Sequence, residues 1–430
     1  MKAAEKKLRG PASSPPLSPR IVSSGAGPNA SDGAKYSSID LGDSEQIVLM
    51  LMPSGRGTLR AQVQEVLSAM ETILENQLRP MTVTVQTVFL RDPGDQGECE
   101  QLLSAYYGAR LPVTSFVLQP PCSGAALALE IWTIGGTSVC VDQRCREASV
   151  VSYDGIRWVH CAGIMPAAPT KNAYNQTLDV LERMRATLDR VGSGFEHVVR
   201  TWFYLGNITE PEVHTHRYEE LNRARTDFYR DISFCPSLLR PDSPGSVYPA
   251  STGIGMAGTG LVGSCLTLQT RRNDMFLLPL ENPLQTPAYA YEPGSEHRSP
   301  QFSRAMALVS RDYVMTWISG TASIVNAESC HLNDVRKQTE QTIDNIEHLI
   351  SPENFAAHGV HGAGAFLHDL AAVRVYLKRP EDLEKCRAVC ERRLADVPSL
   401  YITADVCRPE LFVEIEGITF SRYPLTGASL

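Results

Sequence analysis

Hydrophobic and polar positions along the chain change period in an order that repeats. After about Gln46, the residues Leu59, Val63, Val66, Leu67, Met70, Ile73 and Leu74 recur at helical spacing, with Thr58 placed to cap them. Strand-like alternation follows over 81–90, a short helical segment over 102–107, and strands over 113–118 and 126–132. The order then begins again. A hairpin over 150–153 and 157–163 turns at Asp154-Gly155. A helix shows Tyr174, Leu178, Leu181, Met184, Leu188 and Val191 on one face. A strand at 198–205, a helix at 218–230 and strands at 248–253 and 261–268 complete the round. The third round has a hairpin over 302–309 and 313–321, then a helix carrying Val335, Thr342, Ile343, Ile346, Leu349 and Ile350. A strand at 371–377, a helix at 381–394 and strands at 401–406 and 412–418 close it.

Repeats of roughly 120 residues are too long for a solenoid. Each reads as a complete α+β unit, one sheet with two helices on one face. Three such units predict a pseudo-threefold body with its pockets between units. The expected divisions are a disordered tail over 1–45, a first unit over 46–145, a second over 146–275 and a third over 276–430. The tail is assigned on its richness in Pro, Ser, Gly and Ala, which cannot bury a core.

Composition narrows the function. A formal net charge of −8 argues against nucleic acid as a partner. No apolar run reaches membrane-span length and no apolar leader opens the chain. Eleven cysteines, none in a C-x-x-C pair or at zinc spacing, predict reduced thiols, a cytoplasmic setting and no metal.

Chemistry concentrates at the end of the chain. In 411–418 Val413 and Ile415 share one face and Glu414 and Glu416 the other. Two carboxylates side by side repel, and with burial one pKa rises toward that of a general acid; the alternative is a solvated outer sheet face. Alignment of the closing strands sets Glu414 against Ser264 in the second round and Glu130 in the first. The second helices of rounds two and three read Leu221, Arg225, Phe228 and Leu383, Arg387, Cys390, Leu394, so an arginine falls on the apolar face twice. Such an arginine is a structural ion pair, a side chain that snorkels to the rim, or a clamp for an anionic ligand. The glycine-rich stretch 252–260 lies between strands and opens no helix, so it is read as a turn. His214 and His216 are read as solvent-facing, and Cys407 as a small core residue or a pocket residue.

The element order, with Trp317-Ile318-Ser319-Gly320-Thr321-Ala322, the 338–346 segment QTEQTIDNI and Val413-Glu414-Ile415-Glu416-Gly417, resembles the YjgF/RidA superfamily of homotrimers with pockets between subunits. Further phrases narrow the resemblance to the chorismatase family. They are Arg200-Thr201-Trp202 with Tyr204, Pro249-Ala250 with Thr252-Gly253-Ile254-Gly255, Glu281-Asn282-Pro283, Phe302 with Arg304-Ala305, His358-Gly359-Val360 and Val375-Tyr376. The match spans roughly 150–420 and leaves the first unit as a departure. Imine hydrolysis of the RidA kind uses an arginine early in the penultimate strand, and 398–402 has none.

The resemblance implies three RidA-like units forming a pseudo-trimer in a monomer, acting on chorismate without a cofactor. It implies that Glu414 protonates the enolpyruvyl methylene carbon, that Arg225, Arg304 and Arg387 hold carboxylates, and that Tyr291 donates a hydrogen bond. It also implies that the glycine and thiol of Gly320 and Cys407 accompany formation of 3-hydroxybenzoate, where the hydrolytic type carries alanines and makes a dihydroxycyclohexadiene carboxylate. An enamine or imine hydrolase and a non-catalytic small-anion binder are the competing readings.

Overall fold

A computed structural model describes residues 22–26, 33–168, 172–212, 215–240, 247–291 and 299–424. Three six-stranded sheets follow one another along the chain. The first contains β1 (Val22–Ala26), β2 (Ala34–Asp40), β3 (Ser44–Leu51), β4 (Met81–Leu90), β5 (Val113–Val117) and β6 (Leu127–Gly136), with helices α1 (Leu59–Glu75) and α2 (Gln96–Tyr107). The second contains β7 (Cys140–Cys145), β8 (Ala148–Tyr153), β9 (Ile156–Ile164), β10 (Val198–Gly206), β11 (Ala250–Met256) and β12 (Leu261–Thr270), with α3 (Ala173–Arg190) and α4 (Arg217–Tyr229). The third contains β13 (Phe276–Leu280), β14 (Ala305–Val309), β15 (Tyr313–Ala322), β16 (Leu370–Leu377), β17 (Ser399–Thr403) and β18 (Val413–Arg422). Its helices are α5 (Val335–Ile350), the short α6 (Pro352–Ala357) and α7 (Leu383–Leu394).

Each sheet has the same spatial order, with its last strand fourth: β1-β2-β3-β6-β4-β5, β7-β8-β9-β12-β10-β11 and β13-β14-β15-β18-β16-β17. Within each, the two strands joined by the second helix run parallel and the rest antiparallel. This is the α+β architecture of three equivalent units. Local sequence explains the helices. Thr58, Asn172 and Asp334 accept hydrogen bonds from the third residue of the helices they precede, which satisfies a backbone donor that would otherwise lack a partner. The apolar stripe of each first helix is buried on its sheet, as with Ile343, Ile346 and Leu349 of α5. Burying each such side chain contributes about 1.5–3 kcal/mol.

Each unit has its own core between sheet and helices. A fourth core, drawing on all three sheets, fills the centre where their other faces meet. The central strands of each sheet are therefore covered on both sides, and a polar side chain on their inward face, such as Glu130, Arg374 or Glu416, is buried.

Two expected boundaries are corrected. Residues 22–26 and 33–45, assigned to a disordered tail, form β1, β2 and the start of β3. Ile39 and Ser37 are fully buried there, and strand pairing satisfies a backbone that the small, polar composition leaves unmarked. The remaining residues of that tail lie outside the described residues. The second sheet begins at Cys140 rather than 146, because the polar stretch Cys140–Cys145 pairs with β8 as an edge strand.

Candidate active site

Strand β18 lies between β15 and β16, with Glu414 opposite Ala322 and Tyr376, and Glu416 opposite Arg374. Both carboxylates point into the interior and both are buried. The solvated-face alternative is thereby excluded, and the two groups have different surroundings.

Glu416 is fully engaged. Its Oε1 accepts from Tyr376 Oη at 2.6 Å and Arg374 Nη1 at 3.0 Å. Its Oε2 accepts from Trp202 Nε1 at 2.9 Å, Thr252 Oγ1 at 2.5 Å and Arg200 Nη2. Burial opposes its ionisation, yet Arg374 and Arg200, with the Thr252 and Tyr376 hydroxyls, hold its pKa below the usual carboxylate value. Glu414 has no hydrogen-bonding partner among the described residues. Burial, then the charge of Glu416, pushes its carboxyl up to about 8 against the pull of Arg200 and Arg304. The strand thus holds two carboxyls whose pKa values are pushed apart, Glu416 down and Glu414 up.

Glu414 faces a cavity of about 240 Å³ at the seam between the second and third units. The second unit supplies α4 and β11, and the third supplies Tyr291, Phe302, Arg304, Gly320, Cys407 and Arg408. Arg225 donates to Ser251 Oγ at 3.2 Å and Asn222 Oδ1 at 2.7 Å. Arg304 donates to Thr286 O at 3.1 Å and Tyr291 Oη at 2.5 Å. The Nε of each is buried without a partner. The Phe302 ring lies between them, 5.5 Å from each guanidinium carbon. Neither arginine meets a carboxylate at ion-pair distance among the described residues. Two buried cations without anions are costly to a folded chain. Their cost is offset when an anionic ligand with two acceptor groups fills the cavity.

Gly320 is needed here for space. A Cβ at this position would lie 2.0 Å from Glu414 Oε1 and 3.2 Å from Thr252 Cγ2. Burial and the neighbouring Glu414 push the Cys407 thiol up to about 12, so it lines the cavity as a neutral group.

A second cavity, of about 130 Å³, lies at the centre of the body and is lined by all four tryptophans. Its charged groups, Arg200, Arg374, Glu130 and Glu416, are paired with one another. It therefore offers no free charge to an ionic ligand.

No protein-family model matches the chain. It is 32% identical over 300 residues to a protein of Streptomyces hygroscopicus named 3-hydroxybenzoate synthase, covering 67% of this chain and 80% of that one. A relative named chorismatase, from Streptomyces rapamycinicus, is 30% identical over 285 residues, 62% of this chain and 78% of that one. This chain belongs to the chorismatase family. A solved chorismatase structure superposes with a TM-score of 0.62 at 21% identity, covering 87% of this chain and 98% of that one, and shares the fold. No helix among the described residues is long and apolar enough to cross a membrane.

Most of the expected site residues of this chorismatase-family chain meet in one place: Glu414, Arg225, Tyr291, Arg304, Gly320 and Cys407 all line the seam cavity. Arg387 does not. The buried face of α7 is Leu383, Cys386, Val389, Cys390 and Leu394, and Arg387 lies one step round the helix. It stacks over Tyr401 at 5.4 Å and approaches the exposed Glu384 at 3.4 Å. That is the seam between the third unit and the first, where Cys122 N donates to Tyr401 O at 3.0 Å.

The strand alignment is also corrected. Each sheet has a β-bulge where its fifth strand meets its closing strand, between Leu370 and Ala372, Val198 and Arg200, and Val83 and Val85. Counting from it, Ser264 and Glu130 correspond to Glu416, whereas Glu414 corresponds to Val262 and Ala128. The buried acid belongs to the third unit alone.

His216, expected in solvent, is half-buried at the cavity rim, stacked with Tyr218. His214 lies outside the described residues. Of the glycine-rich stretch, 252–256 is strand β11, and a Cβ on Gly253 would lie 2.9 Å from the Tyr218 ring. Arg200, Arg374 and Thr252, which hold Glu416, carry no site role in the sequence reading, although Arg200 and Thr252 fall in the phrases that mark the resemblance. Their signal was available: an arginine in the middle of the apolar runs 198–205 and 370–377, on the face that tertiary packing buries.

Proposed function

We propose that this chain splits chorismate into pyruvate and 3-hydroxybenzoate, with Glu414 as the general acid. The observation that carries the reading is a neutral, unbonded carboxyl facing a cavity in which two buried guanidiniums lack anions. Chorismate brings two carboxylates and an enol ether. Arg225 and Arg304 are matched to the carboxylates. Tyr291 Oη accepts from Arg304 and keeps its own proton for the ligand.

Glu414 gives its proton to the methylene carbon, and positive charge develops at the ether carbon. The carboxylate left behind stabilises that charge, and Glu416, held by five donors, stays where it is. A ring hydroxyl then displaces the side chain. The ring C–O bond breaks with its electron pair on the ether oxygen, which becomes the keto oxygen of pyruvate. The hydroxyl proton returns to Glu414. The ring that remains is isomeric with 3-hydroxybenzoate and aromatises by moving one ring proton to oxygen. No water is consumed.

The relative named 3-hydroxybenzoate synthase supports the product, as does Gly320. With alanine there, Glu414 could not keep its present position, so the glycine and alanine types must place the acid differently. The three units already occupy the positions of a trimer, and the active form we propose is the monomer.

The test is incubation with chorismate, a coupled pyruvate assay and chromatography of the products, for wild type and Glu414→Gln. Expected are equimolar pyruvate and 3-hydroxybenzoate, with turnover lowered about 10²–10⁴-fold in the variant. A diene product would overturn the product assignment. Undiminished turnover by Glu414→Gln would overturn the acid. Light scattering during turnover checks the monomer.

A further inference from the structure

The first unit has no acid at the Glu414 position, and no residue of it lines the seam cavity among the described residues. It nevertheless reaches Arg374 of the third unit with a charged side chain. Glu130 on β6 is the counterpart of Glu416 and is buried at 6% exposure. Opposite it on β4 is Thr87, where the third unit has Arg374, and among the described residues no cation of the first unit pairs with Glu130. Its Oε1 accepts from Trp132 Nε1 at 2.8 Å, and its Oε2 accepts from Nε of Arg374, on the third unit. The same guanidinium donates from Nη1 to Glu416 at 3.0 Å and to Tyr204 Oη, on the second unit, at 2.6 Å. Arg200 closes the row on the far side of Glu416. Two anions and two cations thus alternate across the three units, Glu130, Arg374, Glu416 and Arg200, and Glu414 stands beside the third.

The charges in this row balance as it stands. Without Glu130 the buried row would carry one net positive charge next to Glu414, and Arg374 would lose the partner of its Nε. We propose that Glu130 is a positioning residue for the reaction: through Arg374 it holds Glu416 in place and keeps the row neutral, and so sets the pH range over which Glu414 retains its proton. The proposal rests on Glu414 as the acid. Glu414 itself is faced by Glu416 on its own strand, Arg200 on β10, Tyr218 and Arg225 on α4, Arg304 before β14 and Cys407 before β18. Of these only Glu416 and Arg200 belong to the row, so a change at Glu130 reaches Glu414 through that route.

The experiment compares wild type, Glu130→Gln, the double variant Glu130→Gln/Arg374→Gln and Glu414→Gln. Two readouts are taken: the pH profile of kcat with chorismate, and the carboxyl-group infrared band titrated without substrate. The band that Glu414→Gln removes identifies Glu414 independently of turnover. The amide of Glu130→Gln can still accept from Trp132 and Arg374, so a merely structural role predicts a lower Tm and an unmoved titration. The proposal instead predicts that the alkaline limb and the infrared titration both move to lower pH, by on the order of one unit. In the double variant, where both buried charges go together, they return to the wild-type position or above it. A Glu130→Gln titration that coincides with wild type overturns the proposal. So does a double variant whose titration lies below wild type, which keeps the test open should Glu130→Gln fail to fold. If Glu414→Gln still turns over chorismate while its band is lost, the reading of the acid fails instead.

Discussion

The seam between the first and second units and the seam between the second and third are built alike, yet among the described residues only the second has a carboxyl without a hydrogen-bonding partner facing its cavity. At the silent seam Ser115 and Ser264 share a hydrogen bond at 2.9 Å, and Gly163 N donates to Ser115 Oγ at 2.9 Å. At the other, Thr252 Oγ1 donates to Glu416 at 2.5 Å and Gly320 N donates to Thr252 Oγ1 at 3.0 Å. The backbone scaffold is the same and the electrostatics are not. A neutral serine in place of Glu416 and Val262 in place of Glu414 leave the silent seam with neither a fixed anion nor an acid to perturb. The glycines diverge as well. Gly163 has φ +69° and a Cβ there would lie 2.5 Å from a backbone oxygen, Thr114 O, so its constraint is structural. What a Cβ at Gly320 meets is the Glu414 carboxyl, the candidate acid. A shared architecture thus fixes where a site can be, and a few side chains decide whether it has chemistry.

Several substitutions can break this comparison or sharpen it. The largest effect is expected from Arg304→Ala, which removes an unpaired buried cation from the active seam: kcat/KM for chorismate falls about 10²–10⁴-fold, as loss of a charged hydrogen bond in a desolvated site implies. Arg387→Ala, at the third seam, should leave kcat/KM within about twofold, and steady-state kinetics on the two proteins reads both. A loss at Arg387 equal to that at Arg304 would place the third seam in the site after all.

Next come the paired glycines. Gly320→Ala should lower turnover about 10–100-fold with little loss of Tm, because the methyl moves Glu414 from its place. Gly163→Ala should do the reverse, destabilising by about 1–3 kcal/mol through strained backbone and a clash with a carbonyl, with turnover kept. Thermal melts and turnover, measured together, separate the two.

A smaller effect is on pH dependence of stability. The folded state holds the Glu414 proton up to about 8, from an ordinary value of 4.5. Between those values the native state binds more protons than the unfolded one, so the contribution is fully present below 4.5 and is lost as pH rises through 8. Burial, opposed by Arg304, holds Glu281 up to about 7, in the same direction. Tm of the wild type should therefore fall from pH 5 to pH 8.5, and Glu414→Gln should flatten that fall by a few degrees. A variant curve parallel to wild type would show that Glu414 ionises normally. The smallest effect is expected for Ser115→Ala at the silent seam, about 0.5–1.5 kcal/mol of stability and no change in turnover.

Much of this was legible in the chain. Periodicity placed the helices and central strands because a stripe or an alternation of apolar residues is a local property, and the three rounds repeat it. Phrases such as Val413-Glu414-Ile415-Glu416 and Trp317-Ile318-Ser319-Gly320 led to the acid and to the glycine beside it. The edge strands β1, β2 and β7 escaped, since their small, polar residues become strand only through pairing with a neighbour. Arg387 was misplaced by one step of a helix, because spacing by four and by three both fit an apolar stripe and only packing on Cys386 and Val389 distinguishes them.

The sequence by itself determined the three-unit α+β design and the family, and it singled out Glu414 as the candidate acid. All of these are carried by residues close together in the chain. That Glu130 is the counterpart of Glu416 and not of Glu414, which arginines are left without an anion, and how Glu130 comes to touch the third unit were decided only by the tertiary structure. The reason is physical. A pKa and an ion pair depend on what lies within a few ångströms in space, and here Glu130, Arg200, Arg374 and Glu416 come together from three separate sheets.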